Sequence, residues 1–295
     1  MMPLPLENLD ATRLDVGGFL DRLGFREPEA PSVRALHALH RAFVERVPYE
    51  TIEIQLERPT TLDRLEAADR IVRRKRGGYC FHMNGAFSVL LEALGYSVTL
   101  HRAGVQNHAV QQAGIFRNHL ALTVTGLSDD PDTPWLVDVG LGDALHEPLP
   151  LREGMYTQGP FTYALRPSEV APGGWRLEHD RRGTFRGMDF DPASAAMSDF
   201  AERHAFLSWS PESGFVRAFV AQRRDARGVD ILRALTLSRI GDADPGPRTV
   251  LDSPASWFAA LADIFGLTLN DVTALDRDRL WRKVVGQHEA FIRGL

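Results

Sequence analysis

The chain has 295 residues, and 34 lysines and arginines against 39 aspartates and glutamates give it a formal net charge of −5. This balance argues against a nucleic acid or an anionic membrane surface as its main partner. The first ten residues, MMPLPLENLD, have neither a positively charged leader nor an apolar core, and no apolar run reaches the length of a transmembrane helix.

The first third of the chain is expected to be helical. Apolar residues recur there with helical spacing in two stretches. The first stripe is Leu36, Leu39, Phe43 and Val47, which ends at Pro48, and the second is Leu62, Leu65, Ala68 and Ile71.

A further helix is predicted to begin near Cys80, the only cysteine of the chain, and to end near Gly95. A thiol at a helix entrance, behind the basic residues 73–76, is favoured as a thiolate, which makes Cys80 a candidate nucleophile. The alternative is a buried structural thiol, but that alternative does not explain the basic cluster or the paired glycines Gly77 and Gly78. A single cysteine cannot form an internal disulfide, so a cytoplasmic location is expected.

Two short strands are predicted on either side of the turn sequence GLSDDPDTP. In a symmetric antiparallel register, His119 and Asp138 are equally far from the centre of this hairpin and lie nearly opposite each other. A carboxylate in that position can orient one imidazole nitrogen while the other faces a thiol. Cys80, His119 and Asp138 are therefore a candidate catalytic triad.

The other histidines are less suited to act as the base. His82 lies about 200° around the helix from Cys80 and points away from the thiol. His108 lies in a polar stretch and is the second candidate, whereas His37 and His40 are interpreted as surface or core positions of a helix. One thiol without paired His, Cys or acidic ligands predicts no metal site.

Beyond residue 96, short alternating segments indicate an antiparallel sheet or barrel, and beyond about residue 200 strands and helices mix. We therefore predict an α+β fold in three parts: an N-terminal helical domain at 1–95 that carries the nucleophile, a central antiparallel β-barrel domain at 96–200 that carries His119 and Asp138, and a C-terminal α/β lid at 201–295.

Three motifs of the chain, in this order, resemble those of the arylamine N-acetyltransferases: RGGYCF at 76–81, NHLALTV at 118–124 and VDVGLGD at 137–143. The segments FLDRLGF at 19–25 and ALHALHRAFVERVPYETIEI at 35–54 are similar to the opening helices of that family and to its Pro-aromatic-Glu element. The resemblance covers the first half of the chain, and the match beyond about residue 200 is loose.

The resemblance implies the same three-part architecture with a papain-like Cys-His-Asp arrangement. Cys80 would be the acyl-accepting nucleophile, His119 the base and Asp138 its orienting carboxylate. The implied donor is acetyl-CoA, the implied acceptor is an aromatic amine or hydrazine, and the implied kinetic form is ping-pong. The loop with Gly140 and Gly142 would lie by the pantetheine and pyrophosphate of CoA.

One position departs from the resemblance. His82 stands where members of the family usually have an acidic residue, so Arg76 and Glu50 are expected to be paired differently here. Two other enzymatic functions remain open, namely an amide synthase that takes a polyketide chain from an acyl carrier, and a cysteine hydrolase of the papain or transglutaminase kind. A binding protein without catalytic activity is disfavoured by the apparently intact triad.

Overall fold

The structure is a computed structural model that describes residues 14–107, 112–242 and 246–294, so the N-terminal segment MMPLPLENLD lies outside the described residues. The helices in the described residues are α1 (Val16–Leu23), α2 (Val33–Arg46), α3 (Ile52–Gln55), α4 (Arg64–Arg73), α5 (Cys80–Ala93), α6 (Ala201–Trp209), α7 (Gly214–Arg217), α8 (Pro254–Asp263) and α9 (Ala274–Ile292). The strands are β1 (Tyr49–Glu50), β2 (Ser97–Gln106), β3 (His119–Thr125), β4 (Trp135–Val137), β5 (Leu149–Pro150), β6 (Gly154–Gln158), β7 (Phe161–Pro167), β8 (Trp175–Glu178), β9 (Gly187–Ser194), β10 (Val220–Asp225), β11 (Gly228–Arg233), β12 (Thr236–Gly241) and β13 (Arg248–Val250).

The predicted N-terminal helices are present, and local sequence sets their ends. The Ser32 side chain accepts a hydrogen bond from the Ala35 amide at the start of α2, and Asp63 caps α4 in the same way. Helix α2 ends two residues before Pro48, and α5 is followed by Gly95 in the left-handed conformation (φ 89°).

The central strands form an eight-stranded antiparallel sheet in the order β5-β4-β3-β2-β9-β8-β7-β6, which curls into a nearly closed barrel. Strand β3 is the first of the two strands that the sequence predicts around the turn GLSDDPDTP, and its residues alternate between two cores. Leu120, Leu122 and Val124 pack in the same core as α5, whereas Ala121 belongs to the core of the barrel. Strand β3 therefore touches the helix that begins at Cys80.

The C-terminal part contains a five-stranded antiparallel sheet in the order β1-β10-β11-β12-β13, packed against α8 and α9. Its first strand comes from the helical region, because Tyr49 pairs with Gln222 and Glu50 pairs with Ala221. The sequence FVRAFVAQRR at 215–224 predicts a single strand, but only its second half is one, as part of β10. Residues 214–217 form α7, since the Ser213 side chain accepts a hydrogen bond from the Phe215 amide and starts a helical turn there.

These elements give the α+β fold that the sequence predicts. The division into domains at 1–95, 96–200 and 201–295 stays a prediction. Strand β1 and the buried Ile52 of α3 lie in the first of these segments but pack with the third.

Candidate active site

Cys80 is the first residue of α5, as the sequence predicts, and its side chain is buried. Its sulfur lies 3.5 Å from the carbonyl oxygen of Asn118, one residue before β3. The glycine pair before it brings the turn close to its neighbours. A Cβ on Gly77 would be 1.7 Å from the Pro48 oxygen, and a Cβ on Gly78 would be 2.7 Å from His82 Cβ. The glycines are therefore required by packing at the helix entrance.

The basic cluster 73–76 does not stabilise the Cys80 thiolate in the way that the sequence suggests. Residues 73–75 are exposed, and only Arg76 is buried. Its guanidinium contacts the carboxylates of Glu50 at 3.4 Å, Glu53 at 3.0 Å and Asp271 at 3.1 Å. These cations therefore face solvent and carboxylates. The cation that stabilises the Cys80 thiolate must instead be His119.

His119 and Asp138 meet, although not in the register that the sequence suggests. His119 Nε2 lies 2.7 Å from Asp138 Oδ2, and both side chains are buried. The β3–β4 ladder pairs Leu122 with Val137, which displaces Asp138 by two positions from the residue opposite His119. The hairpin tip pairs Leu127 with Asp130, so the extra residues lie between Asp130 and β4. A shift of two residues keeps both side chains on one face of the sheet.

The charge on His119 depends on its two neighbours. Burial by itself disfavours the imidazolium, but the Asp138 carboxylate and the Cys80 side chain outweigh burial and raise the pKa of His119 to about 10. Because Nε2 faces Asp138, the remaining ring nitrogen, Nδ1, is the one available to Cys80. This is the papain-like arrangement of Cys, His and Asp, with a protonated imidazole between two groups that can carry negative charge.

Asn84 belongs to the site and is not identified by the sequence analysis. Its Nδ2 donates to Asp138 Oδ1 at 2.7 Å and to the Leu120 carbonyl at 2.6 Å, and its Oδ1 accepts from the Val139 amide at 2.9 Å. Asn84 lies one turn after Cys80 on the same helix. The signal for Asn84 is its position one turn beyond the candidate nucleophile, combined with the full burial of its amide, which requires hydrogen-bond partners.

Gly140 and Gly142 lie beside this network. The Gly140 amide donates to Asp138 Oδ1 at 2.9 Å, and a Cβ on Gly140 would be 2.9 Å from Cys80 Cα. Gly142 has a φ of 73°, and a Cβ there would be 2.0 Å from Gln222 Oε1. Both glycines are therefore needed for close packing, and a role in binding CoA stays a prediction.

The remaining histidines occupy different surroundings. His82 is buried beside Tyr79 and His204, on the side of α5 away from the triad. Burial lowers the pKa of His82 well below 6.5, and the neighbouring Arg70 acts in the same direction. His108 lies outside the described residues.

The two histidines of α2 also have different surroundings. His37 contacts Glu147 at 3.4 Å near the surface, whereas His40 is fully buried and reaches the backbone of Asp138.

In the part of the chain that the structure describes, no three His, Cys, Asp or Glu side chains are grouped as metal ligands would be. Nor do the described residues include a helix with the length and apolarity needed to cross a bilayer.

Comparison with known proteins connects this geometry to a family. A family profile described as N-acetyltransferase matches residues 32–274. The arylamine N-acetyltransferase / N-hydroxyarylamine O-acetyltransferase of Salmonella typhimurium is 27% identical over 258 residues, which cover 86% of this chain and 89% of that protein. The solved arylamine N-acetyltransferase of Mycobacterium abscessus superposes with a TM-score of 0.82 at 26% identity, over 96% of this chain and 99% of that one. The Mycobacterium marinum enzyme in complex with CoA gives a TM-score of 0.79 at 25% identity, over 92% and 98%.

Proposed function

The chain belongs to the arylamine N-acetyltransferase family, and from this premise we propose that it moves the acetyl group of acetyl-CoA to an aromatic amine or hydrazine through a thioester on Cys80. The observation that carries this proposal is the position of His119, which contacts the Asp138 carboxylate at 2.7 Å and interacts with the Cys80 side chain. A nucleophile, a base and an orienting acid are the groups that acyl transfer through cysteine requires.

In the first half-reaction, the Cys80 thiolate attacks the carbonyl carbon of acetyl-CoA. The carbon–sulfur bond to CoA breaks, and the departing CoA thiolate takes the proton from His119. One thioester replaces another, so the step is nearly balanced in free energy. The amides of His82 and Met83 donate to the Tyr79 carbonyl, and the amides that precede them at the start of α5 can stabilise the oxyanion of the tetrahedral intermediate.

In the second half-reaction, a neutral amine attacks the acetyl-Cys80 carbonyl. With the thiolate consumed, the imidazole of His119 is neutral and accepts the proton that the amine loses, after which the sulfur leaves and the amide is complete. Aromatic amines and hydrazines are unprotonated near neutral pH because their basicity is low, whereas an alkylamine such as lysine is mostly charged. This difference selects the acceptor class.

We further propose that the loop of Gly140 and Gly142 lies along the CoA thioester, since it passes directly beside Cys80. We also propose a cytoplasmic location, since a lone nucleophilic cysteine is best kept reduced there.

The test is the mass of the peptide that contains Cys80. After incubation with acetyl-CoA, this peptide should gain one acetyl group, and addition of 4-aminosalicylate should remove the label and form the N-acetylated amine. Cys80→Ser should abolish the label on this peptide. Loss of the label to water at the same rate with or without amine would make the protein a hydrolase. Labelling only from an acyl carrier protein would make it an amide synthase, and either result would refute the proposal.

A further inference from the structure

Helix α2 holds the chain on both sides of the proposed acid. His40 is fully buried, and its Nε2 lies 3.3 Å from the backbone nitrogen of Asp138. Its other ring nitrogen, Nδ1, lies 3.0 Å from the carbonyl oxygen of His146, eight residues further along the same segment. One imidazole ring therefore spans the two ends of the segment that carries Asp138 and the glycine loop.

The two partners fix the protonation state of His40. A backbone N–H can only donate, so Nε2 must offer its lone pair to Asp138, and a carbonyl oxygen can only accept, so Nδ1 must carry the hydrogen. Only the neutral tautomer with hydrogen on Nδ1 satisfies both contacts. An imidazolium would direct an N–H from Nε2 at the N–H of Asp138, and that contact would be lost.

The far end of the segment is held by the same helix, which keeps the acceptor of His40 in place. The His146 ring contacts Glu45 at 2.7 Å, and Arg41 contacts Glu147 at 2.6 Å. The amide of His146 donates to Gln158 Oε1 at 2.8 Å. The His146 carbonyl is therefore a fixed acceptor.

We propose that neutral His40 is a positioning residue of the reaction: it holds the backbone of Asp138 so that the carboxylate meets His119, and its protonation disables the triad. This inference deepens the proposed function and rests on it. The charged and titratable groups that face His40 are His37 on its own helix and Asp138 and His146 on the opposite segment, and the ring of Phe87 on α5 covers it at a centroid distance of 6.1 Å.

The surroundings favour the neutral form at physiological pH. Burial lowers the pKa of His40 to about 4, and the neighbouring His146 and His37 act in the same direction, while the His146 carbonyl and the Asp138 carboxylate oppose it. We therefore expect protonation of His40 to lower the rate of Cys80 acetylation at acid pH. This effect is separate from the titration of His119.

The test compares His40→Phe, which keeps a planar ring but has no acceptor, with His40→Gln, which supplies an amide oxygen for Asp138 and an N–H for His146 but does not titrate. The rate of Cys80 acetylation by acetyl-CoA is measured in a single turnover from pH 3 to 8. We expect His40→Phe to lower this rate by about 10- to 100-fold at pH 7, because misplacement of a reacting group has effects of this size. His40→Gln should restore the rate at pH 7 and keep it to lower pH than the wild-type chain.

His288→Gln on α9, which is not among the groups that face His40, is the control and should leave the acid limb unchanged. A folded His40→Phe variant with the wild-type rate would overturn the proposal. If that variant does not fold, an acid limb of His40→Gln that coincides with the wild-type limb would overturn it.

Alkylation of Cys80 by iodoacetamide over the same pH range is the second readout, since it needs no acyl donor. A wild-type chain that is not acetylated at all would refute the proposed function. An effect of His40→Phe on alkylation would still support the role of His40 in that case.

Discussion

At the residue scale, the Asp138 carboxylate is held at both of its oxygens. Oδ2 faces His119, and Oδ1 accepts from Asn84 Nδ2 and from the Gly140 amide. Because both oxygens accept from donors, the carboxylate has little freedom to rotate away from the imidazole. The orientation of His119 is thus fixed by residues on α5 and on the loop after β4.

Replacement of His119 by glutamine tests the choice of base. The amide keeps a donor towards Asp138 but cannot accept a proton or form an imidazolium, so we expect acetylation of Cys80 to slow by about 10³-fold or more. The readout is the rate of acetyl labelling from acetyl-CoA. His108→Gln is the matched control and should keep the wild-type rate; the opposite pattern would assign the base to His108.

Asn84 allows a test with a side chain of equal size. In Asn84→Asp, the carboxylate cannot donate to Asp138 or to the Leu120 carbonyl, and it adds a negative charge next to the existing one. We expect the free energy of unfolding to fall by about 1–3 kcal/mol at pH 7, since buried acceptors are left unpaired, and the labelling rate to fall as well. Urea unfolding and acetyl labelling measure these effects. Wild-type stability and rate in this variant would show that the donated hydrogen bonds do not matter.

At the element scale, α5 differs from its predicted form in one respect. Met83, Phe87, Leu90, Leu91 and Leu94 recur with helical spacing and predict one apolar face, yet every residue from Cys80 to Leu91 is buried. The pattern shows which residues are apolar, but it does not show that α4, β2 and β3 cover the helix on several sides. Small and polar residues such as Asn84 and Ser88 are therefore interior, and their roles depend on partners that are distant in the chain.

The contact between α5 and the loop after β4 requires glycine. A methyl group in Gly140→Ala would lie 2.8 Å from Asn84 Nδ2 and 2.9 Å from Cys80 Cα, so the loop must move away from the helix. We expect a loss of about 1–3 kcal/mol in unfolding free energy, as for overpacked cores, together with slower labelling of Cys80.

Gly286→Ala on α9 is the matched control, since a Cβ there has no heavy atom of the described residues within 4 Å. It should raise the unfolding free energy by about 0.5–1 kcal/mol, because alanine favours the helix, and should leave labelling unchanged. Equal stability changes in the two variants would contradict the packing argument at Gly140.

At the scale of the whole molecule, the periodic patterns predict the order of helices and strands but not the contacts between them. The hairpin between β3 and β4 brings His119 to Asp138 because both face one side, even though the register differs by two residues. The pairing of β1 with β10 could not be predicted, since the two residues Tyr49 and Glu50 have no alternating pattern long enough to indicate a strand. Non-local pairing of this kind leaves no periodic signal in the chain.

Buried neutral histidines couple the stability of the whole molecule to pH. His82 has a pKa far below its ordinary value of 6.5 because of burial and the neighbouring Arg70. Below pH 6.5 the unfolded chain therefore takes up a proton that the folded chain does not, and the folded state loses stability as the pH falls. Each such group contributes a slope of about 1.4 kcal/mol per pH unit.

The contribution of His119 to the pH dependence of stability has the opposite sign. Its raised pKa means that the folded chain holds the proton more tightly than the unfolded chain, so its contribution is complete below pH 6.5 and is lost as the pH rises towards 10. The acid limb of stability therefore comes from groups such as His82 and His40, and the alkaline limb from His119.

The acid limb can be assigned by urea unfolding of His82→Gln between pH 7 and pH 4.5. The glutamine does not titrate, so we expect the decline of unfolding free energy below pH 6 to become shallower by about 1.4 kcal/mol per pH unit than in the wild-type chain. His288→Gln on α9, where the side chain is partly exposed, should leave the decline unchanged. A wild-type slope in His82→Gln would mean that His82 is protonated in the folded chain, against the effects of its burial and of the neighbouring Arg70.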